Sequence, residues 1–518
     1  EMTSSLVGSE MCIRDRKETS RRLQLVEELY YAKELLTSEQ LMESLNCSLP
    51  ALITDVRFLN GENLPFKITK IKGLYTIDFD SYATIDAVYA YILRTSLEYQ
   101  VINSLLFEKS RGIQPAADRL NCSFSNMQRY LISIKKEVIK WDITVTHRPL
   151  QMVGDEGAIR HLFYLFFKES RMEFADYGFS QRLLNSVDEL IRRILEENQI
   201  TNNMNIHFQL MHSFLIGLQR QKHGHKMKRI YRYSGLIIPN VKQLESLVRL
   251  IKRETSLEFT NACLKECLWP LFSHQLLLNR KQQALVHKRN RRLANFYHTH
   301  YLLLEAVSDL LSTPLSQNEM VDAARLLGNE LFCYYPEKHS IEILHESEKI
   351  MLHLIDKKYY QEIKKLENVV SNFLSPLHQE EFVPLYISFL ITTIDNLLQR
   401  LINSDRPIKV LLLSDTSTTH ERFWHSVFPD FIKGAVTYEH FETPFIKQDQ
   451  LTDLTQQYDL IVTNVTMKDL VPACPLIAIN AFPTAKDFDR IQQFINQFDP
   501  LLSRKELHHE LTPSTETR

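Results

Sequence analysis

Leu45-Asn46-Cys47-Ser48 (LNCS) occurs a second time in the same chain, at Leu120-Asn121-Cys122-Ser123. Each copy divides two short stretches whose apolar residues fall at helical spacing. Before the first runs TSEQLMES, where Thr37 and Gln40 have the spacing of a capping box and Leu41 and Leu45 stand one turn apart. After it runs LPALITDVRFLN, with Pro50 in a first turn, where its missing N–H costs little, and Leu52, Val56 and Leu59 four and three apart. The second copy follows IQPAADRL and precedes FSNMQRYLISIKKEV, in which Met127, Leu131, Ile134 and Val138 recur at four, three and four. Both copies read as helix, tight Asn-Cys-Ser turn, helix, the plan of a helix-turn-helix.

A strand-like segment follows each pair. FKITKIKGLYTI alternates polar and apolar side chains around Gly73, with Lys67, Lys70 and Lys72 available to phosphates, and ITVTHRPLQMVGDE alternates up to a turn at Gly154 and Asp155. Strands there make each module a winged helix, whose wing touches the nucleic-acid backbone while the second helix enters the major groove. The modules are chemically unequal. In the second, Arg129, Ser133, Lys136 and Lys140 form a polar stripe opposite the Met127 to Val138 stripe, Lys135 and Arg148 add charge, and Ser125, Asn126 and Gln128 open the same helix. In the first, Thr54 and Arg57 stand beside Ile53 and Asp55. The second module is therefore expected to be the main reader of double-stranded promoter DNA.

Composition sets the outer bounds. A chain of 518 residues holds three to five domains at the usual ~100–200 residues each. Only 12 glycines, with apolar residues at helical spacing throughout, indicate a mostly helical, multidomain protein. A net charge of −2 gives no overall attraction to polyanions, so nucleic-acid affinity must come from local patches. Seven cysteines without a CxxC pair suit a reduced compartment, and Cys263 and Cys267, four apart, read as packing residues. No apolar run approaches the ~18 residues of a membrane span, so a soluble, cytoplasmic protein is expected. Residues 1–16, EMTSSLVGSEMCIRDR, resemble translated adapter sequence and are set aside, Cys12 with them.

PLQMVGDEGAIRHLFYLFF, after the second module, resembles the PL-x-(I/V)-x-G-x-E-x-x-(I/V)-R segment that follows the second helix-turn-helix in the Mga/AtxA family of Gram-positive transcriptional regulators. The similarity runs from about residue 20 to 500. It implies winged modules at 17–80 and 81–168, helical phosphotransferase-system (PTS) regulation domains at 169–285 and 286–402, and an enzyme IIB-like domain at 403–503. The polar tail 504–518 is expected to be disordered. One departure is that family members often place Arg or Lys where Ile53 and Thr54 stand here.

The duplication of the middle region has its own trace: WPLFSHQLL (269–277) written over VPLYISFLI (383–391) aligns Pro270 with Pro384 at an offset of 114. In regulation domains, PTS phosphocarrier proteins phosphorylate histidines, whose imidazole is a nucleophile at neutral pH. The candidates are His207, His212 and His274, the last standing opposite Ser388 of the second copy. His223-Gly224-His225 is too short a group to argue for metal. From 407, IKVLLLS, YDLIVTNV and CPLIAIN read as strands and TTHERFWHSVF and AKDFDRIQQFINQF as helices, a small parallel α/β domain. The enzyme IIB resemblance puts a phosphoryl-carrying cysteine where Ser414 stands, followed by Asp415, Thr416, Ser417 and Thr418. A serine lacks the low-pKa thiolate, so this domain is expected to serve homodimerisation instead of catalysis. The expectation is a non-enzymatic DNA-binding activator without cofactor or metal. The alternative is a phosphotransfer component, against which Ser414 argues. An RNA-binding antiterminator would need a small β-rich domain that residues 17–60 do not resemble.

Overall fold

The computed structural model describes residues 17–32, 34–61, 64–201, 204–228, 230–333, 347–377, 379–403, 406–417, 419–440, 456–464 and 474–498. The set-aside N-terminus and the polar tail lie outside them. The chain forms two compact units, with boundaries at Asn295/Phe296, Leu327/Gly328 and Glu346/Ser347.

The first unit opens with α1 (Lys17–Tyr31), β1 (Leu36–Thr37), α2 (Ser38–Ser44), α3 (Leu49–Leu59), β2 (Phe66–Ile71) and β3 (Leu74–Phe79). The strands pair antiparallel in the order β1-β3-β2, with Phe66 opposite Phe79 and Ile71 opposite Leu74. The Thr37 hydroxyl accepts from Gln40 N while the Gln40 side chain accepts from Thr37 N, so the capping box forms. A second module follows: α4 (Ile85–Thr95), α5 (Leu97–Leu106), α6 (Ile113–Arg119), α7 (Phe124–Val138), β4 (Ile143–His147), β5 (Leu150–Gly154) and α8 (Glu156–Glu169). Its two-stranded wing pairs Ile143 with Gly154. Gly154 has φ +143°, and a Cβ there would meet Asp142 O at 2.0 Å, so the wing closes only around glycine.

The repeated tetrapeptide makes the same turn twice. Asn46 and Asn121 are left-handed, at φ 44° and 49°. Cys47 N donates to Met42 O and Asn46 N to Glu43 O, and Cys122 N donates to Ala117 O and Asn121 N to Asp118 O. This is a Schellman cap with asparagine in the position usually taken by glycine. Glu108, Arg171 and Gln199 occupy the same position at the ends of three further helices.

Six further helices of the unit follow: α9 (Gln181–Glu197), α10 (Met204–Lys222), α11 (Glu245–Thr255), α12 (Asn261–Cys267), α13 (Trp269–Phe272) and α14 (Arg280–His287). Gly217 lets α10 approach α12, since a Cβ would lie 2.7 Å from Cys267 Cα. Cys267 is buried against it and Cys263 half-buried, both free thiols in the packing role that the sequence indicates.

Helix α15 (Arg291–Ser308) contains the unit boundary at Asn295/Phe296, and α16 (Gln317–Cys333) the one at Leu327/Gly328. The second unit adds α17 (Ser347–Leu374), broken at Tyr359, α18 (Val383–Thr393) and α19 (Leu397–Ile402). Pro270 and Pro384 both sit in the first turn of a helix, as the alignment requires, but α13 stops at Phe272 while α18 continues to Thr393. Ser388 is therefore helical, whereas His274 lies beyond its helix at φ 62°, and the two are not equivalent sites.

The sheet of the second unit is parallel throughout, in the order β7-β6-β8-β9: β6 (Ile408–Leu413), β7 (Val436–His440), β8 (Leu460–Thr463) and β9 (Leu476–Ala478), with α20 (His420–Phe431) and α21 (Ala485–Gln497). Strand β7 escapes the apolar-run reading because it is an edge strand whose side chains alternate between half-buried and exposed. Among the described residues no helix is long and apolar enough to cross a membrane.

Candidate nucleic-acid interface

The second recognition helix, α7, is capped by Ser123, whose hydroxyl accepts from Asn126 N. Met127, Tyr130, Leu131, Ile134 and Val138 are buried. The opposite face carries Ser125, Gln128, Arg129, Ile132, Lys135 and Lys136, all exposed. Arg129 Nη2 donates to Asn126 Oδ1 at 3.1 Å, which holds the guanidinium against the helix start. Arg148 is exposed in the wing turn, and Ser133 is half-buried on the same helix.

Lys140 departs from the expected stripe. The α-helix ends at Val138, Ile139–Trp141 forms a 3-10 turn, and Asp142 is left-handed, so the 3.6-residue phase is lost. Lys140 is half-buried over the Trp141 ring at 4.9 Å, with Nζ 3.5 Å from Glu137. It sits at the base of the wing, off the exposed face of α7.

In the first module, Arg57 is exposed on α3 and Thr54 turns its hydroxyl back to Pro50 O at 2.8 Å. Asp55 is not a surface residue: it is fully buried, accepting from Arg21 Nε at 2.5 Å and Arg22 Nε at 2.9 Å. It ties α3 to α1 and leaves Arg57 as the cation on that face. Lys67 and Lys72 are exposed on the wing, and Lys70 donates to Ser38 Oγ.

The PLQMVGDEGAIR segment does different work from DNA contact. Glu156 is 7% exposed at the start of α8; Arg160, one turn on, is fully buried. Arg160 donates to Glu156 Oε1 at 2.9 Å, to Glu266 Oε2 at 2.9 Å and to Glu266 O at 2.7 Å. Arg220 of α10, 1% exposed, donates to Glu156 at 2.7 and 3.0 Å and to Glu108 Oε1 at 3.1 Å. His225 Nε2 contacts the same Glu108, and His223 Nδ1 lies 3.6 Å from it. The His-Gly-His group thus faces a carboxylate. Burial pushes the Glu156 carboxyl up, but the guanidinia of Arg220 and then Arg160 overcome it and hold it below its ordinary value. Three carboxylates and two guanidinia, with two imidazoles beside them, clasp the second winged module to α10 and α12. Periodicity could not show this clasp, because its partners lie up to 117 residues apart.

The three candidate phosphohistidines differ sharply. His212 is fully buried among Phe167, Phe174, Tyr177 and Phe208, with Nδ1 2.9 Å from Tyr177 Oη, and burial depresses it to about 4. His274 is 3% exposed, stacks on Tyr231 and has both ring nitrogens engaged, Nε2 with Tyr233 O at 2.7 Å and Nδ1 with Asn290 Nδ2 at 3.0 Å. His207 is half-buried, its Nε2 2.7 Å from Asp188 Oδ1. Asp188 also borders an open cavity of about 650 Å³ whose walls include Phe174, Leu184, Phe208 and Met211. In the second unit, Ser414 Oγ lies 2.6 Å from His420 Nδ1, and Ser414 N donates to Glu421 Oε1 at 2.8 Å.

Two consecutive winged helix-turn-helix modules, the second with an exposed cationic face on α7, define the class. Residues 81–167 match the Mga helix-turn-helix domain. The chain is 21% identical to a trans-acting regulator of Streptococcus pneumoniae serotype 4 over 461 residues, 86% of this chain and 92% of that protein. It is 27% identical over 216 residues to the capsule synthesis positive regulator AcpA of Bacillus anthracis, 41% of this chain and 44% of that protein. It is 20% identical over 430 residues to the anthrax toxin expression trans-acting positive regulator of the same organism, 83% of this chain and 87% of that protein. The chain is thus similar, within and beyond the helix-turn-helix region, to trans-acting regulators of the Mga/AtxA type.

Proposed function

We propose that this chain is a transcriptional regulator that binds double-stranded promoter DNA and activates transcription. The observation that carries the reading is the exposed set Ser125, Gln128, Arg129, Lys135 and Lys136 on α7, inside the residues that match the Mga helix-turn-helix domain. A helix of this kind enters the major groove, where Arg and Gln read base edges and Lys meets phosphate. Arg148 and the Lys67–Lys72 wing supply backbone contacts, and Arg57 a weaker second reader. The two Bacillus anthracis relatives are positive regulators, which supports activation.

Regulation is assigned to two PTS regulation domains at 169–285 and 286–402, phosphorylated by PTS phosphocarriers. Within the first, His207 is the acceptor favoured by geometry. Its half-buried ring lies beside the Asp188 carboxylate, whereas His212 is sealed by aromatic rings and His274 by its two hydrogen bonds. The α/β domain at 403–503, enzyme IIB-like but with Ser414 in the cysteine position, serves homodimerisation in the cytoplasm. The test is duplex binding by the full chain as salt rises. Arg129→Ala with Lys136→Ala should reduce specific affinity by at least tenfold and flatten the salt dependence. Unchanged affinity in a folded double variant refutes the reading.

A further inference from the structure

Ile132, on the reading face of α7, is 68% exposed. Gln128 and Arg129 precede it by one turn, and Lys135 and Lys136 follow it by one turn, all exposed. Side chains three and four apart share a helix face, so this isoleucine stands at the centre of a polar, cationic frame. The fold gains little from it there: β-branched residues are indifferent helix formers, and the buried stripe of α7 lies on the opposite face. Its position within the helix is informative as well. Homeodomain recognition helices read bases through side chains spaced three, one and three apart. Ser125, Gln128, Arg129 and Ile132 have those spacings.

We infer that Ile132 is a specificity residue that recognises the C5-methyl group of a thymine in the major groove. The inference rests on the DNA-binding reading above and adds a base to it. Thymine alone among the four bases presents a methyl group in that groove, and an apolar side chain is the partner that reads it. The surrounding cations favour a polyanion over a protein as the occupant of this face, because a protein contact would have to desolvate Arg129, Lys135 and Lys136 together.

The experiment begins with the full chain and a random duplex library. The enriched duplex is resynthesised with each thymine in turn replaced by uracil, which removes only the methyl group. Fluorescence anisotropy should show about a fourfold loss of affinity at one or two adjacent positions, equivalent to ~0.8 kcal/mol for one buried methyl. Ile132→Ala should erase that position dependence, and Ile132→Val, which keeps branched methyl groups, should retain most of it. Equal affinity for every uracil duplex in the wild type overturns the inference while leaving DNA binding intact. So does an Ile132→Ala variant that changes the solution mass by light scattering but keeps the uracil profile, since the face is then a protein contact. If no duplex is enriched over bulk DNA, the DNA-binding reading falls and this inference falls with it.

Discussion

Arg220→Ala removes the cation that joins three elements of the first unit. Its guanidinium is 1% exposed and serves Glu156 and Glu108 together, with distances of 2.7, 3.0 and 3.1 Å. After truncation Glu156 retains Arg160 at 2.9 Å, while Glu108 keeps only His223 and His225. Breaking a buried pair from one side leaves a desolvated charge and costs about 3–5 kcal/mol. Hydrogen exchange suits the measurement because the chain has two compact units and no single unfolding equilibrium. Amides of α8 and α10 should exchange about 150–4,000-fold faster in the variant. The pH dependence carries the sharper test. In the wild type Glu156 sits below its ordinary carboxylate value, so its contribution to stability is present at neutral pH and is lost as pH falls through the acid range. In the variant Glu156 loses the larger of its two guanidinium partners, so its carboxylate is held less firmly against burial, and the gap between variant and wild type should narrow as pH falls. An exchange change under tenfold, or a gap that does not vary with pH, refutes the clasp as a stabilising element. Arg220→Lys should recover only part of the loss, because an ammonium cannot reproduce the forked contact.

On the DNA face, Lys136→Ala should lower the slope of log affinity against log salt by about 1, while Arg57→Ala should change affinity less than Arg129→Ala does; the reverse order would make the first module the main reader. Gly217→Ala forces a methyl group to within 2.7 Å of Cys267 Cα, and a cost of about 1–3 kcal/mol is expected, read as a lower Tm for the first unit. Burial depresses His161 to about 3 and His212 and His300 to about 4. An unfolded histidine takes its proton near 6.5, so the stability these sites contribute is present above that pH and lost as pH falls toward 4, about 2 kcal/mol each by pH 5. A Tm that stays flat from pH 7 to 5 would contradict this. His207→Ala should abolish phosphoryl uptake from a PTS phosphocarrier and His274→Ala should not; equal loss in both would remove the distinction drawn from their geometry.

Local chemistry was legible in the residues. The Thr37–Gln40 box, the Asn-Cys-Ser turns, both wings and the 127–131–134–138 stripe depend on neighbours within a few positions, where spacing and turn preference act directly. What the sequence concealed was long-range or broke phase. Asp55 looks like a surface acid until Arg21 and Arg22 close on it from 34 and 33 residues upstream. Lys140 keeps the helical count on paper, but the helix has already changed to a 3-10 turn. His274 and Ser388 align by letter, yet one lies past the end of its helix and the other inside its own. The Glu156 and Arg160 signature was readable as a resemblance, and its physical role emerged only with Arg220 and Glu266 beside it.

The glycine-poor corners bear on how a promoter is chosen. An L-residue in the left-handed basin has a narrow range of φ and ψ, so a corner closed by Asn121 has little angular play compared with one closed by glycine. On the proposed DNA-binding reading, α6 and α7 turn together, and this corner sets the pitch at which α7 meets the groove. Accommodation must then come from the duplex. Sites with flexible pyrimidine–purine steps, which kink cheaply, should be favoured even at base pairs that no side chain touches.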